Sequence, residues 1–206
     1  MNSIYLIRHT TPAVNKGICY GQTDLDVTES FYSEASVIRE ILPPHIQEVY
    51  SSPLIRCKKL AEHLFPGREI IFEKELMEIH CGQWEMKKWD ELPTAEVDPW
   101  MKDFVGIAIP GGESYLGLHE RVTRCFELIA RSGTDVAVIT HGGVIRSILT
   151  GITQTPLADS FKVFSLNYGC VVRITSSGNC FEYEIVSNII PAEKEIHKPD
   201  RFTGNR

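Results

Sequence analysis

Two histidines stand where apolar runs stop. Ile4-Tyr5-Leu6-Ile7 leads into Arg8-His9, and Val136-Ala137-Val138-Ile139-Thr140 leads into His141-Gly142-Gly143. Short β-branched and aromatic runs of this kind read as buried strands. In an open α/β sheet, ligands gather just beyond the carboxyl ends of the strands. Arg56 belongs with them, in the first turn of a helix expected to open at Ser52-Pro53, directly after a short run around Val49-Tyr50-Ser51. Two guanidiniums offer flat, forked donors suited to phosphoryl oxygens. A neutral imidazole is a competent nucleophile toward phosphorus. Charge stabilisation and positioning dominate phosphoryl transfer, so Arg8, His9, Arg56 and His141 could together carry such a step with no metal and no cofactor. Helix N-termini after Ser52 and after His141 would add backbone N–H donors.

The whole chain is compatible with one such domain. It has 206 residues, 43% hydrophobic and 23% charged, with a net charge of -6. That is enough for a single core, and a mildly acidic chain lacks the basic face of a general nucleic-acid binder. Its six cysteines, Cys19, Cys57, Cys81, Cys125, Cys170 and Cys180, form no CxxC pair, and several lie inside apolar runs. They read as buried, reduced thiols, and no short His/Cys spacing supports a zinc site. No charged-then-apolar leader opens the sequence, and no apolar run approaches the roughly 20 residues that span a bilayer. A cytoplasmic protein with no membrane partner is expected.

The elements that must position these residues alternate. The first strand spans 3–8, followed by a long loop over 9–27 punctuated by Pro12, Gly17, Gly21 and Asp24; a loop of that length is usually functional. Thr28 reads as the cap of a helix carrying Phe31, Ala35, Ile38 and Leu42, stopped by Pro43-Pro44. After the second strand, a helix capped by Ser52 with Pro53 at its first position buries Leu54, Cys57, Ala61 and Leu64. Residues 69–72 read as a third strand. Residues 73–112, with Trp84, Trp89 and Trp100, read as short helices over the site. A long helix starts at Glu113-Ser114 and buries Leu118, Val122, Phe126 and Ile129. A helix over about 144–149 follows His141, and strands near 170–175 and 181–186 form an antiparallel hairpin. Strands alternating with helices predict a mainly parallel sheet covered on both faces, a three-layer αβα architecture. One domain over 1–206 is expected, with 191–206 a polar surface tail.

Leu6-Ile7-Arg8-His9, with Asn15 beyond it, resembles the Arg-His-Gly signature of the histidine phosphatase superfamily, which includes the cofactor-dependent phosphoglycerate mutases. The resemblance continues in order through Ser51-Ser52-Pro53-Leu54-Ile55-Arg56, Leu76-Met77-Glu78-Ile79-His80-Cys81-Gly82-Gln83-Trp84-Glu85, Pro110-Gly111-Gly112-Glu113-Ser114 and Thr140-His141-Gly142-Gly143-Val144-Ile145-Arg146. It implies a phosphoglycerate mutase-like fold. It also implies that His9 is the phosphorylated nucleophile and that Arg8, Arg56 and His141 hold the transferring group. Glu78 would protonate the leaving oxygen and then activate water. Asn15, Gly21, Gln22 and Gly142 would bind the substrate phosphate.

Thr10 departs from the family's usual Gly, and a β-branched residue would be strained there if the position required positive φ. Arg8-His9-Thr10-Thr11-Pro12 with Cys19-Tyr20-Gly21-Gln22-Thr23-Asp24 looks most like the α-ribazole phosphatase branch, which implies a small phosphorylated metabolite from assembly of the cobalamin lower ligand. Tyr20, Trp84 and Tyr115 are candidate faces for a flat base. The alternatives are a broad-specificity phosphatase, a mutase, for which the chain is short of the usual lid segments, and a non-catalytic phosphate-binding domain. The resemblance leaves room for a homodimer.

Overall fold

The computed structural model describes residues 2–177 and 180–189. In chain order the elements are β1 (Ser3–Arg8), α1 (Phe31–Ile41), β2 (Glu48–Ser51), α2 (Ile55–Leu64), β3 (Ile71–Phe72), α3 (Thr94–Lys102), α4 (Tyr115–Ala130), β4 (Val136–Thr140), α5 (Gly142–Thr153), α6 (Ser160–Val163), β5 (Val171–Ser177) and β6 (Cys180–Ser187). Single 3-10 turns at 74–76, 82–84, 89–91 and 157–159 complete them.

One six-stranded sheet has the order β3-β2-β4-β1-β5-β6. β1, β2, β3 and β4 pair in parallel, while β5 and β6 are antiparallel. This is the mainly parallel sheet with a terminal antiparallel hairpin that the alternation predicts. Ile4, Leu6, Val136 and Val138 pack with Leu118, Val122 and Phe126 of α4 and with Ile145, Ile148 and Leu149 of α5. Tyr5, Ile7, Ala137 and Ile139 pack on the opposite face with α1 and α2, against Ala35, Ile38, Cys57, Leu60 and Ala61. Each fully buried apolar side chain contributes roughly 1.5–3 kcal/mol. A one-residue slip would exchange the two faces, so the register is tightly held.

That register builds the site. Ile7 pairs with Ile139 and Arg8 with Thr140, so His9 and His141, one residue further on, emerge at the same rim. Ser51 pairs with Ile139, which brings Ser52 to the rim as well. A third, smaller cluster of Cys19, Cys81, Trp84, Trp89, Leu92, Val97, Trp100 and Ile109 supports the 73–112 region. The 9–27 loop is tied to it: Cys19 N–H donates to the Lys87 carbonyl and Met86 N–H to the Cys19 carbonyl, both at 2.8 Å.

Several boundaries differ from the sequence reading. α1 begins at Phe31, not at Thr28, because residues 28–30 form a turn first: Phe31 N–H donates to the Thr28 carbonyl, and the Thr28 hydroxyl lies 2.7 Å from that of Ser30. Leu42 falls just outside α1, in extended conformation. α2 begins at Ile55, and Ser52 is not its cap. The Ser52 hydroxyl pairs with His141 and accepts only the Leu54 N–H, one residue before the helix, at 3.4 Å, while Asp24, from the distant loop, accepts the Ile55 N–H at 2.6 Å. β3 is only two residues long because β2 offers it only Tyr50 and Ser51. α5 extends to Thr153, well past Leu149. Ser114 caps α4, accepting Gly117 N–H at 3.1 Å. The tail expected at 191–206 lies outside the described residues. The cysteines other than Cys180 are buried and free.

Candidate active site

His9 and His141 face each other across the rim, with ring centroids 5.1 Å apart. Both are buried, at 2% and 0% exposure. The Thr10 carbonyl lies 2.7 Å from His9 Nδ1. A carbonyl can only accept, so Nδ1 carries the proton and the neutral ring keeps its lone pair on Nε2. His141 Nε2 lies 2.8 Å from Ser52 Oγ and 3.5 Å from Cys57 Sγ. Burial, helped by Arg56, His9 and Arg8, holds the pKa of His141 well below the ordinary histidine value, so the ring is neutral. Burial pushes the Cys57 thiol up to about 12, which makes it a packing group rather than a nucleophile.

The arginines take different places. Arg8 Nη1 donates to the Leu166 carbonyl at 2.5 Å, and Tyr168 stacks on its guanidinium at 3.9 Å. Arg56 is wholly buried behind the rim, donating from Nη1 to the Thr23 carbonyl at 2.9 Å and from Nη2 to the Gly21 carbonyl at 2.6 Å. In both residues the buried Nε–H has no partner among the described residues. Gly142 makes room for this cluster: a Cβ there would lie 3.0 Å from Arg146 Nη1 and 3.3 Å from Arg8 Nε.

Glu78 joins them at the start of α5. Gly143 N–H donates to its Oε2 at 3.0 Å and Ile79 N–H to its Oε1 at 2.9 Å. The positive end of α5 therefore faces this carboxylate. Arg8, His9 and Glu78 line one cavity of about 230 Å³, together with Tyr20, Trp89, Trp100, Phe104, Tyr115, Arg146, Phe161 and Tyr168. In its lining the hydroxyls of Tyr20 and Tyr168 lie 2.5 Å apart.

Other expected ligands stand elsewhere. Asn15 is exposed and does not line the cavity. The N–H groups of Gly21 and Gln22 do not face a phosphate pocket, since Glu85 accepts them at 3.0 and 2.8 Å and also accepts the Thr23 hydroxyl. The Gln22 side chain donates to the Glu78 carbonyl. The Ile55 N–H at the start of α2 goes to Asp24. Trp84 is fully buried and donates to Glu96, so it packs behind the cavity and offers no face to it, whereas Tyr20 and Tyr115 do. Thr10 is not in the positive-φ region, so the substitution for Gly carries no backbone strain.

The sequence reading gave no role to Arg146, Tyr168 or Glu85. Arg146 had a signal in its spacing: three and four residues beyond Gly143 and Gly142, it shares their face of α5. Among the described residues, no group of three or more His, Cys, Asp or Glu side chains is placed to hold a metal ion.

The sequence pattern of the histidine phosphatase superfamily (branch 1) matches residues 4–189. The chain belongs to that superfamily. It is 33% identical over 179 residues to the metal-independent phosphoserine phosphatase of Arabidopsis thaliana, covering 81% of this chain and 75% of that protein. It is 26% identical over 183 residues to phosphoserine phosphatase 1 of Hydrogenobacter thermophilus, covering 82% of each. The crystal structure of the α-ribazole phosphatase of Shigella flexneri superposes on it with a TM-score of 0.83 at 21% identity, covering 93% of this chain and 99% of that one. At that identity the likeness is one of fold, and it places the chain in the phosphoglycerate mutase-like α/β architecture.

Proposed function

We propose that the protein hydrolyses a small phosphate monoester through a phosphohistidine on His9. The observation that carries this reading is the Thr10 carbonyl on His9 Nδ1, which keeps the lone pair on Nε2. Nε2 attacks phosphorus, the bond from phosphorus to the leaving oxygen breaks, and Glu78 gives that oxygen a proton. Water then yields a proton to Glu78 and displaces the phosphoryl group from Nε2, which releases inorganic phosphate. The orphaned Nε–H groups of Arg8 and Arg56 and the neutral His141 supply donors for the phosphoryl oxygens. With this charge in place the reaction runs without a divalent ion, and activity survives an excess of chelator.

The rings of Trp89, Trp100, Phe104, Tyr115 and Phe161 along the cavity favour a flat leaving group, each offering a large contact area. α-Ribazole 5′-phosphate fits that description. Arg146 supports a second reading, in which a carboxylated leaving group is held by a guanidinium in the same cavity. The test is kcat/KM for α-ribazole 5′-phosphate, phosphoserine and 3-phosphoglycerate on one preparation. The first reading expects the ribazole phosphate to lead. A lead for either carboxylated compound replaces it with the second.

A further inference from the structure

We infer that Arg121 is a positioning residue for Glu78; the inference rests on the reading of Glu78 as the proton donor. Arg121 lies on α4, outside the cavity lining, and its side chain is only 13% exposed. Its donors converge on the segment that carries Glu78. Nη1 donates to the Glu75 carbonyl at 2.6 Å and Nη2 to the Glu78 carbonyl at 3.1 Å. Nε and Nη2 also bind the two carboxylate oxygens of Glu113 at 3.0 and 2.7 Å. Glu113 reaches the same segment: its Oε1 accepts His80 N–H at 2.8 Å, and its own N–H donates to the His80 carbonyl at 3.1 Å. The Arg121–Glu113 pair therefore grips residues 75–80 on both sides of Glu78.

From the other side, Gln22 Nε2 donates to the same Glu78 carbonyl at 2.9 Å. The backbone of Glu78 is held by α4 on one side and by the 9–27 loop on the other, while its carboxylate rests on Gly143 of α5. A flat, forked guanidinium can satisfy two carbonyls and a carboxylate at once; a lysine ammonium cannot reproduce that fork. A proton donor must stand within hydrogen-bond reach of the leaving oxygen, and small misplacements of such groups are costly. Arg121 sets that reach without touching substrate.

The experiment compares wild type, Arg121→Gln, Arg121→Lys, Glu113→Gln and Glu78→Gln on two probes, p-nitrophenyl phosphate and an alkyl phosphate. The nitrophenolate leaves without needing a proton, and the alkoxide does not. The inference expects Arg121→Gln to lower kcat/KM, which reports the step in which the leaving group departs, for the alkyl phosphate by roughly 10- to 100-fold, with little change in kcat/KM for the nitrophenyl ester, and Arg121→Lys to restore part of the loss. Glu113→Gln should show the same selectivity in milder form, which keeps the test open should Arg121→Gln fail to fold. Equal losses on both probes, or no loss on either, would overturn the role of Arg121. Should Glu78→Gln itself show no selectivity, the proton-donor reading falls, and with it the inference.

Discussion

Gly143 and Glu78 stand so close that a Cβ on Gly143 would displace the Glu78 carboxyl group. A Cβ on Gly143 would stand 2.2 Å from Glu78 Oε1, while the Gly143 N–H donates to Oε2 at 3.0 Å. The helix that follows His141 thus holds the proposed acid through its first turn, and the absent side chain is part of that hold.

Gly143→Ala is therefore expected to push the carboxylate aside without breaking the fold, because the clashing atom is the far end of a flexible side chain. The kcat/KM for alkyl phosphates should fall steeply, towards the roughly 10²–10⁴-fold that general acid catalysis supplies, while kcat/KM for p-nitrophenyl phosphate is affected far less. Steady-state kinetics on both esters, with circular dichroism as the folding control, checks this. An Ala variant with wild-type kinetics on both would mean that the contact has no catalytic consequence.

The sheet and the meeting of His9 with His141 were legible in the sequence because both are local signals. Apolar runs that end in Arg-His or His-Gly-Gly name the strand, its end and the residue just past it. The destination of a hydrogen bond 20 to 90 residues away leaves no such mark. Ser52 looked like a helix cap, yet its hydroxyl serves His141 and Asp24 supplies the cap. Gly21 and Gln22 looked like phosphate ligands, yet Glu85 takes their amides. Arg121 gave no local signal at all, since its partners lie 8 to 46 residues away.

The Asp24 contact gives a stability prediction. Removing it with Asp24→Ala leaves the first N–H of α2 to solvent and should cost about 1 kcal/mol, as for an ordinary N-cap. It also loosens the loop whose Gly21 and Thr23 carbonyls hold Arg56. Chemical denaturation measures the first effect and phosphate inhibition the second. An unchanged denaturation midpoint would show that the contact contributes nothing to stability.

His141 sets a pH dependence. Its pKa is depressed in the fold by burial first and then by Arg56 and His9, so the unfolded chain binds its proton more readily than the native one. Stability from this residue is fully present above the ordinary value of 6.5 and is lost as pH falls below it towards the depressed native value. The thermal midpoint should drop on acidification below that value, and His141→Gln should flatten the drop. A variant that follows the wild-type curve through this window would show that His141 is not the group responsible.

The central claim is that phosphorus passes through His9. Rapid acid-free quenching of the enzyme during turnover of a 32P-labelled ester, followed by peptide mapping, tests it directly. The account predicts one base-stable, acid-labile phosphate on the peptide that contains His9, absent from His9→Ala, which is folded and inactive. Normal turnover by His9→Ala, or label mapped to another residue, would contradict it.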